Sequence, residues 1–136
     1  MWYIVAGLAQ ALQSLHNDQI YHGDIQPETI FVTMDGGIKL MDHSALGLKG
    51  SGYYRMMMGQ EKMAALSPQL LESMNRRESV PNHSQEKSDI FALGITILCV
   101  ITNFSIGAFY NFNTYKMNYD LIAKQLVEAL DNGYSK

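Results

Sequence analysis

Two of the three aspartates in the stretch YHGDIQPETIFVTMDGGIKLMDHS, which runs from residue 21 to residue 44, each lie within two residues of a histidine. The aspartates are Asp24 and Asp42, and His22 and His43 stand beside them. Carboxylates in such a setting suit phosphate chemistry, in which they orient an attacking hydroxyl or hold a hard cation such as Mg²⁺. The four side chains together could alternatively hold a transition metal, which is the less economical interpretation.

A helix before this stretch and a hairpin within it are expected to position these groups. In WYIVAGLAQALQSLH the apolar residues recur at the helical spacing of about 3.6 residues, and they define one buried face: Ile4, Leu8, Ala11, Leu12 and Leu15. Two β-prone runs, TIFVT and GIKLM, flank MDGG, whose Asp-Gly-Gly suits a tight turn. The sequence therefore predicts a polar loop between a helix and a two-stranded hairpin.

The rest of the chain predicts one long loop and three helices. Little periodicity is visible from Asp42 to about Leu66, and a loop of that length is usually functional or mobile. SPQLLESM predicts a short helix after Pro68, and DLIAKQLVEAL predicts an amphipathic one. Between them, SDIFALGITILCVIT predicts an apolar helix at the centre of the domain, capped by Ser88 or Asp89.

Composition favours one intracellular globular unit. The chain has 136 residues, 47% of them hydrophobic, which suffices for one core and not for two. A formal net charge of -3 gives no basic field, so nucleic-acid binding is not expected. A single cysteine, Cys99, rules out an internal disulfide framework and fits a reducing compartment.

Neither apolar stretch of the chain predicts secretion or membrane insertion. The first residues carry no positive leader and no convincing cleavage site, so a cytoplasmic location is expected. The apolar run of residues 91–110 is interrupted by glycine and polar residues. Its flanks also lack the cluster of Lys or Arg that orients a membrane span, and no membrane partner is therefore expected.

The order of motifs resembles the C-terminal lobe of a protein kinase. HGDIQPE, a hairpin, DHS, SPQ and SDIFALG correspond in order to H-R-D-L-K-P-x-N, a hairpin, D-F-G, A-P-E and an Asp-led hydrophobic helix. The resemblance extends from Ile4 to about Leu130. It implies a mainly α fold with a small β-hairpin. It also implies that residues 1–136 form a partial kinase domain, without the N-terminal lobe and the last helices.

The resemblance implies a role for each matching residue. Asp24 takes the place of the catalytic carboxylate that orients the acceptor hydroxyl, and Asp42 takes that of the Mg²⁺ ligand. His22 would brace the catalytic loop, and Asp89 would accept hydrogen bonds from the backbone of that loop. The implied cofactors are ATP and Mg²⁺, and the implied partner is a protein substrate or another protein that binds the lobe.

Several positions depart from the family pattern. Gln26 replaces the lysine of serine/threonine kinases, so it contributes no positive charge to the transition state. Thr29 replaces the asparagine that holds the second Mg²⁺, which weakens the expected cofactor and metal site. Gly23 replaces an arginine, Ser44 replaces the glycine of D-F-G, and Gln69 replaces the glutamate of A-P-E.

Two functions are open on the sequence alone. Joined to an N-terminal lobe, the chain would transfer the γ-phosphate of ATP to protein Ser or Thr hydroxyls, at an impaired rate. The chain as given shows no glycine-rich loop and no strand lysine, so the isolated chain is expected to be inactive. The alternative is a pseudokinase module that binds or scaffolds a partner protein without catalysis.

Overall fold

The computed structural model describes residues 2–41 and 64–131. Over these residues the elements are, in order, α1 (Trp2–Asn17), a 3-10 turn (Pro27–Thr29), β1 (Ile30–Val32), β2 (Ile38–Leu40), α2 (Pro68–Asn75), α3 (Gln85–Thr102), α4 (Ile106–Phe109), β3 (Tyr110–Asn111), β4 (Lys116–Met117) and α5 (Tyr119–Ala129). The predicted mainly α fold with a small β-hairpin is confirmed. Asp42, His43, Ser44 and most of the predicted long loop lie outside the described residues.

Helix α1 and the first hairpin pack closely together. Leu8 and Leu12 are the fully buried residues of the helix, and both belong to its predicted apolar face. β1 pairs with β2 in antiparallel register, with Ile30 opposite Leu40. A Cβ added at Gly7 would lie 2.8 Å from Cγ1 of Ile38, so this close approach requires a glycine. Helix α1 and the β1–β2 hairpin therefore pack as one unit on either side, in sequence, of the loop that joins them.

Helix α3 begins one turn earlier than predicted. Its N-cap is Ser84, whose side chain accepts a hydrogen bond from the N–H of Lys87 at 3.3 Å. The prediction that Ser88 or Asp89 caps the helix is wrong, because both lie inside it and bond to other segments instead. The helix ends at Thr102, and Asn103 follows in the left-handed conformation that often ends helices.

The core is built mainly around one face of α3. That face contributes Ala92, Ile95, Leu98 and Cys99 to a cluster that also contains residues of the other segments. The opposite face is not covered by the described residues, since Ile90 is 54% exposed. Burial is the main cause that raises the pKa of the Cys99 thiol to about 11, so the thiol stays protonated and unreactive.

A second small hairpin follows α3 and was not predicted from the sequence. β3 pairs with β4, with Tyr110 opposite Met117. The Asn111 side chain accepts hydrogen bonds from the N–H groups of Asn113 at 3.1 Å and Thr114 at 3.0 Å. An Asn that bonds to the backbone two and three residues later is a turn signal, so Asn111 could have indicated this hairpin.

No helix in the described part of the chain is both long enough and apolar enough to cross a membrane.

Candidate active site

The segment of residues 21–29, called here the Asp24 loop, joins α1 to β1 and is anchored on α3 by Asp89. Oδ2 of Asp89 accepts a hydrogen bond from the N–H of His22 at 2.8 Å, and Oδ1 accepts one from the N–H of Gly23 at 2.8 Å. Asp89 is only 2% exposed. Hydrogen bonds to a carboxylate are stronger than bonds between neutral groups, and burial strengthens them further. The start of the Asp24 loop is therefore fixed on α3.

The residue next to His22 has a backbone conformation that favours glycine. Gly23 has a φ of 76°, which lies in the left-handed region where other residues are strained. An arginine, which the resembled pattern has at this position, would have to adopt that strained conformation here. A glycine in place of the arginine of the family pattern therefore suits the backbone conformation at position 23.

His16 is a third partner of Asp89, and sequence reasoning missed it. Its Nε2 lies 3.0 Å from Oδ2 of Asp89, and its ring lies 5.5 Å from that of Tyr21. Its position in the last turn of the helix that leads into the loop is the one signal that could have indicated it. His16 thus supplies a side-chain donor to the same carboxylate that holds the loop backbone.

The ring of His22 forms hydrogen bonds with two segments, the Asp24 loop and the residue that follows β2. Its Nδ1 accepts a hydrogen bond from the N–H of Asp24 at 3.2 Å, so the ring proton belongs on Nε2. Nε2 lies 2.8 Å from the carbonyl oxygen of Met41 and donates to it. His22 thereby connects the Asp24 loop to Met41, the residue that immediately precedes Asp42.

Thr29 holds the far end of the loop through its hydroxyl. Oγ1 donates to the carbonyl of Asp24 at 2.7 Å, lies 3.0 Å from the carbonyl of Gln26, and accepts from the N–H of Gln26 at 3.2 Å. Thr29 is 3% exposed. Because the donor and one lone pair of the hydroxyl serve the loop backbone, its main observed contribution is to shape the loop.

A second side chain of α3 supports the middle of the loop. The hydroxyl of Thr96 donates to the carbonyl of Ile25 at 3.0 Å, and Thr96 lies about two helical turns after Asp89 on the same face. Sequence reasoning missed Thr96, because a threonine in an apolar helix gives no signal. Asp24 and Gln26, the two predicted catalytic residues, are therefore both buried on a loop that is held at its start, middle and end.

The described residues alone do not supply a metal site. Within residues 2–41 and 64–131, no three His, Cys, Asp or Glu side chains are grouped so that they could hold a metal ion. Asp42, the predicted Mg²⁺ ligand, lies outside these residues, as does His43, its companion in the alternative transition-metal site. The metal roles of Asp42 and Thr29 therefore stay predictions.

Known proteins similar to the chain are protein kinases. It is 35% identical, over 78% of its length, to the membrane-associated tyrosine- and threonine-specific cdc2-inhibitory kinase wee-1.3 of Caenorhabditis elegans. It is 31% identical, over 73% of its length, to the serine/threonine-protein kinase KSP1 of Saccharomyces cerevisiae. These matches cover 14% and 10% of the two relatives, so the chain spans a small part of each. No solved structure matches the chain.

The family match covers nearly the whole chain. Residues 2–132 match the protein kinase domain. This range contains the Asp24 loop, the anchor residue Asp89 and the helix that carries it. The chain therefore belongs to the protein kinase domain family.

Proposed function

We propose that the chain is the C-terminal-lobe part of a protein kinase, and that it transfers the γ-phosphate of ATP to Ser or Thr hydroxyls of a protein substrate when joined to an ATP-binding N-terminal lobe. The observation that carries the proposal is the anchoring of His22 and Gly23 on Asp89. Phosphoryl transfer depends mostly on positioning and charge neutralisation. A loop fixed before the substrate arrives supplies the positioning.

Asp24 is the proposed catalytic residue. Its backbone is held on both sides, by the N–H bond to His22 and by the carbonyl bond from Thr29. From this position its carboxylate would orient the acceptor hydroxyl towards the phosphate. When bound, Mg²⁺ and ATP would supply the phosphoryl group and neutralise its charge, with Asp42 as the proposed metal ligand and Thr29 as a weak second one.

Gln26 sets the proposed rate below that of an ordinary kinase. It is a buried neutral side chain at the position where the family pattern has a lysine. The loss of one electrostatic stabiliser of the transition state lowers the rate by about a hundred- to a thousandfold. The proposed activity is therefore slow transfer, and the Ser/Thr preference rests on the DIQPE run.

The test is transfer of labelled phosphate by the natural protein that carries residues 1–136. Wild type is incubated with ATP labelled at the γ-phosphate and a protein acceptor, beside Asp24→Asn and the matched control Asp18→Asn at an exposed aspartate of the preceding turn. Label should appear on Ser or Thr with wild type and Asp18→Asn and be lost with Asp24→Asn. Equal transfer by all three proteins would refute the role of Asp24.

A second candidate function is a binding module without catalysis. Two observations favour it: the Thr29 hydroxyl already serves the loop backbone, and the buried Gln26 carries no charge. The double change Gln26→Lys with Thr29→Asn separates the candidates. If an impaired kinase is the correct description, the double variant should transfer phosphate at least about tenfold faster than wild type. A double variant that shows no gain, in a protein that binds no nucleotide, would favour the binding module.

A further inference from the structure

A short apolar segment, residues 64–67, is buried beside the Asp24 loop. It comprises Ala64, Ala65, Leu66 and Ser67, all of which are buried, and it leads into α2. The three apolar residues share one core cluster with Ile25 of the Asp24 loop. The segment and the residue next to Asp24 therefore belong to the same packed core.

One side chain from outside α3 holds the backbone of this segment. The hydroxyl of Tyr110, the first residue of β3, donates to the carbonyl of Leu66 at 2.9 Å. Tyr110 is 5% exposed, and its ring stacks on Phe112 with 5.3 Å between centroids. Burial is the largest cause that raises the pKa of the phenol above its ordinary value of 10.0, so the hydroxyl keeps the proton that it donates.

A separate set of side chains holds the end of the segment on α3. Oγ of Ser67 lies 2.8 Å from Oγ of Ser88, which lies 2.8 Å from Nδ1 of His83. Ser88 is the neighbour of Asp89, which anchors the Asp24 loop. Helix α3 thus holds the loop and the segment through two adjacent residues, and Tyr110 provides a further fixed point.

We propose that Tyr110 is a positioning residue, whose hydroxyl fixes the Leu66 carbonyl and so sets the place of residues 64–67 beside the Asp24 loop. The ring alone cannot perform this role, because a phenylalanine would fill the same space and leave the buried carbonyl without its donor. The anchor itself is independent of the proposed function. Its effect on phosphoryl transfer rests on that function.

The sequence allows a direct observation of the anchor. Leu66-Ser67 is the one Leu-Ser pair in the 136 residues, so carbonyl-¹³C leucine combined with ¹⁵N serine gives a single correlated NMR signal in this chain. Tyr110→Phe should move the Leu66 carbonyl shift and speed amide exchange in residues 64–71 about tenfold. The control Tyr3→Phe, at an exposed tyrosine of α1, should change neither. An unmoved carbonyl signal, or faster exchange throughout the chain, would overturn the proposal.

A second variant keeps the hydroxyl and the shape of the ring. Incorporation of 3-fluorotyrosine at position 110 makes the phenol a better donor, so the Leu66 carbonyl shift should move in the direction opposite to that of Tyr110→Phe. This measurement decides the question even if Tyr110→Phe does not fold. A signal that does not respond to the fluorine would show that the hydroxyl does not hold the carbonyl.

Kinetics test the effect of the anchor on the reaction. Tyr110→Phe should slow transfer to a protein acceptor about tenfold and leave the affinity for a non-hydrolysable ATP analogue unchanged, because small displacements near the reacting groups are costly. Equal transfer rates would overturn the positioning role. A wild type without any transfer would contradict the proposed function, while the Leu66 signal would still decide whether Tyr110 is an anchor.

Discussion

Asp89 and Gly23 are 66 residues apart in the sequence and are joined by a 2.8 Å hydrogen bond from the glycine N–H to the aspartate carboxylate. The same carboxylate accepts the N–H of His22 and contacts Nε2 of His16. Three donors therefore converge on one buried negative charge. The conformation of the Asp24 loop therefore depends on Asp89, a residue of a helix that is distant in the sequence. A substitution of Asp89 should accordingly alter the loop.

Removal of the Thr29 hydroxyl should destabilise the protein. Thr29→Val keeps the shape of the side chain but leaves the Asp24 carbonyl and the Gln26 N–H without this partner. The expected loss is about 1–3 kcal/mol in the free energy of unfolding, measured by urea denaturation. The control Thr114→Val, at an exposed turn residue, should change it little. A stability equal to that of wild type would show that the hydroxyl is not needed to shape the loop.

A methyl group at Gly7 should weaken the contact between α1 and the first hairpin. In Gly7→Ala the new Cβ would lie 2.8 Å from Cγ1 of Ile38, and relief of this clash costs about 1–3 kcal/mol. Gly94→Ala is the matched control, because no atom lies within 4 Å of the added Cβ. Helix propensity alone should make this control up to about 1 kcal/mol more stable than wild type. Thermal unfolding that ranks the two variants in the opposite order would contradict the described contact.

Stability should depend on pH through His83. Burial is the largest cause that lowers the pKa of His83 below 6.5, and it outweighs the opposing effects of the Ser84 backbone and the Asp89 charge. The unfolded chain therefore binds more protons than the folded one just below pH 6.5, so stability should fall as the pH drops through that region. In His83→Gln the fall should be smaller, as measured by denaturation at a series of pH values. Identical pH profiles would rule out this contribution.

The helix and hairpin around the Asp24 loop could be predicted because their signals are local. Apolar spacing indicated α1, and the Asp-Gly-Gly turn indicated the β1–β2 hairpin, in which Gly36 has a φ of 84°. The motif order also indicated Asp89 as the loop anchor, and the geometry around it agrees with that role.

The features that could not be predicted depend on contacts between distant segments. Aspartate is a residue type that often caps helices, but the carboxylate of Asp89 bonds to the Asp24 loop. The N-cap of α3 is Ser84 instead. His16, Thr96 and Tyr110 each act through one hydrogen bond to a segment remote in sequence. No periodicity or motif reports such a bond, because it depends on how the elements pack.

The most direct test of a loop fixed by α3 is the exchange rate of the His22 and Gly23 amide hydrogens in wild type and in Asp89→Asn. Asparagine keeps one acceptor oxygen and has an NH₂ donor in place of the other. The backbone N–H groups of His22 and Gly23 would then share one acceptor, and one of them would face a donor. Hydrogen bonds to charged groups contribute about 1.5–3 kcal/mol, so both amides should exchange at least about tenfold faster in the variant, while the amides of the β1–β2 hairpin change little. Unchanged exchange at His22 and Gly23 would contradict the account, because the loop would then keep its conformation without Asp89.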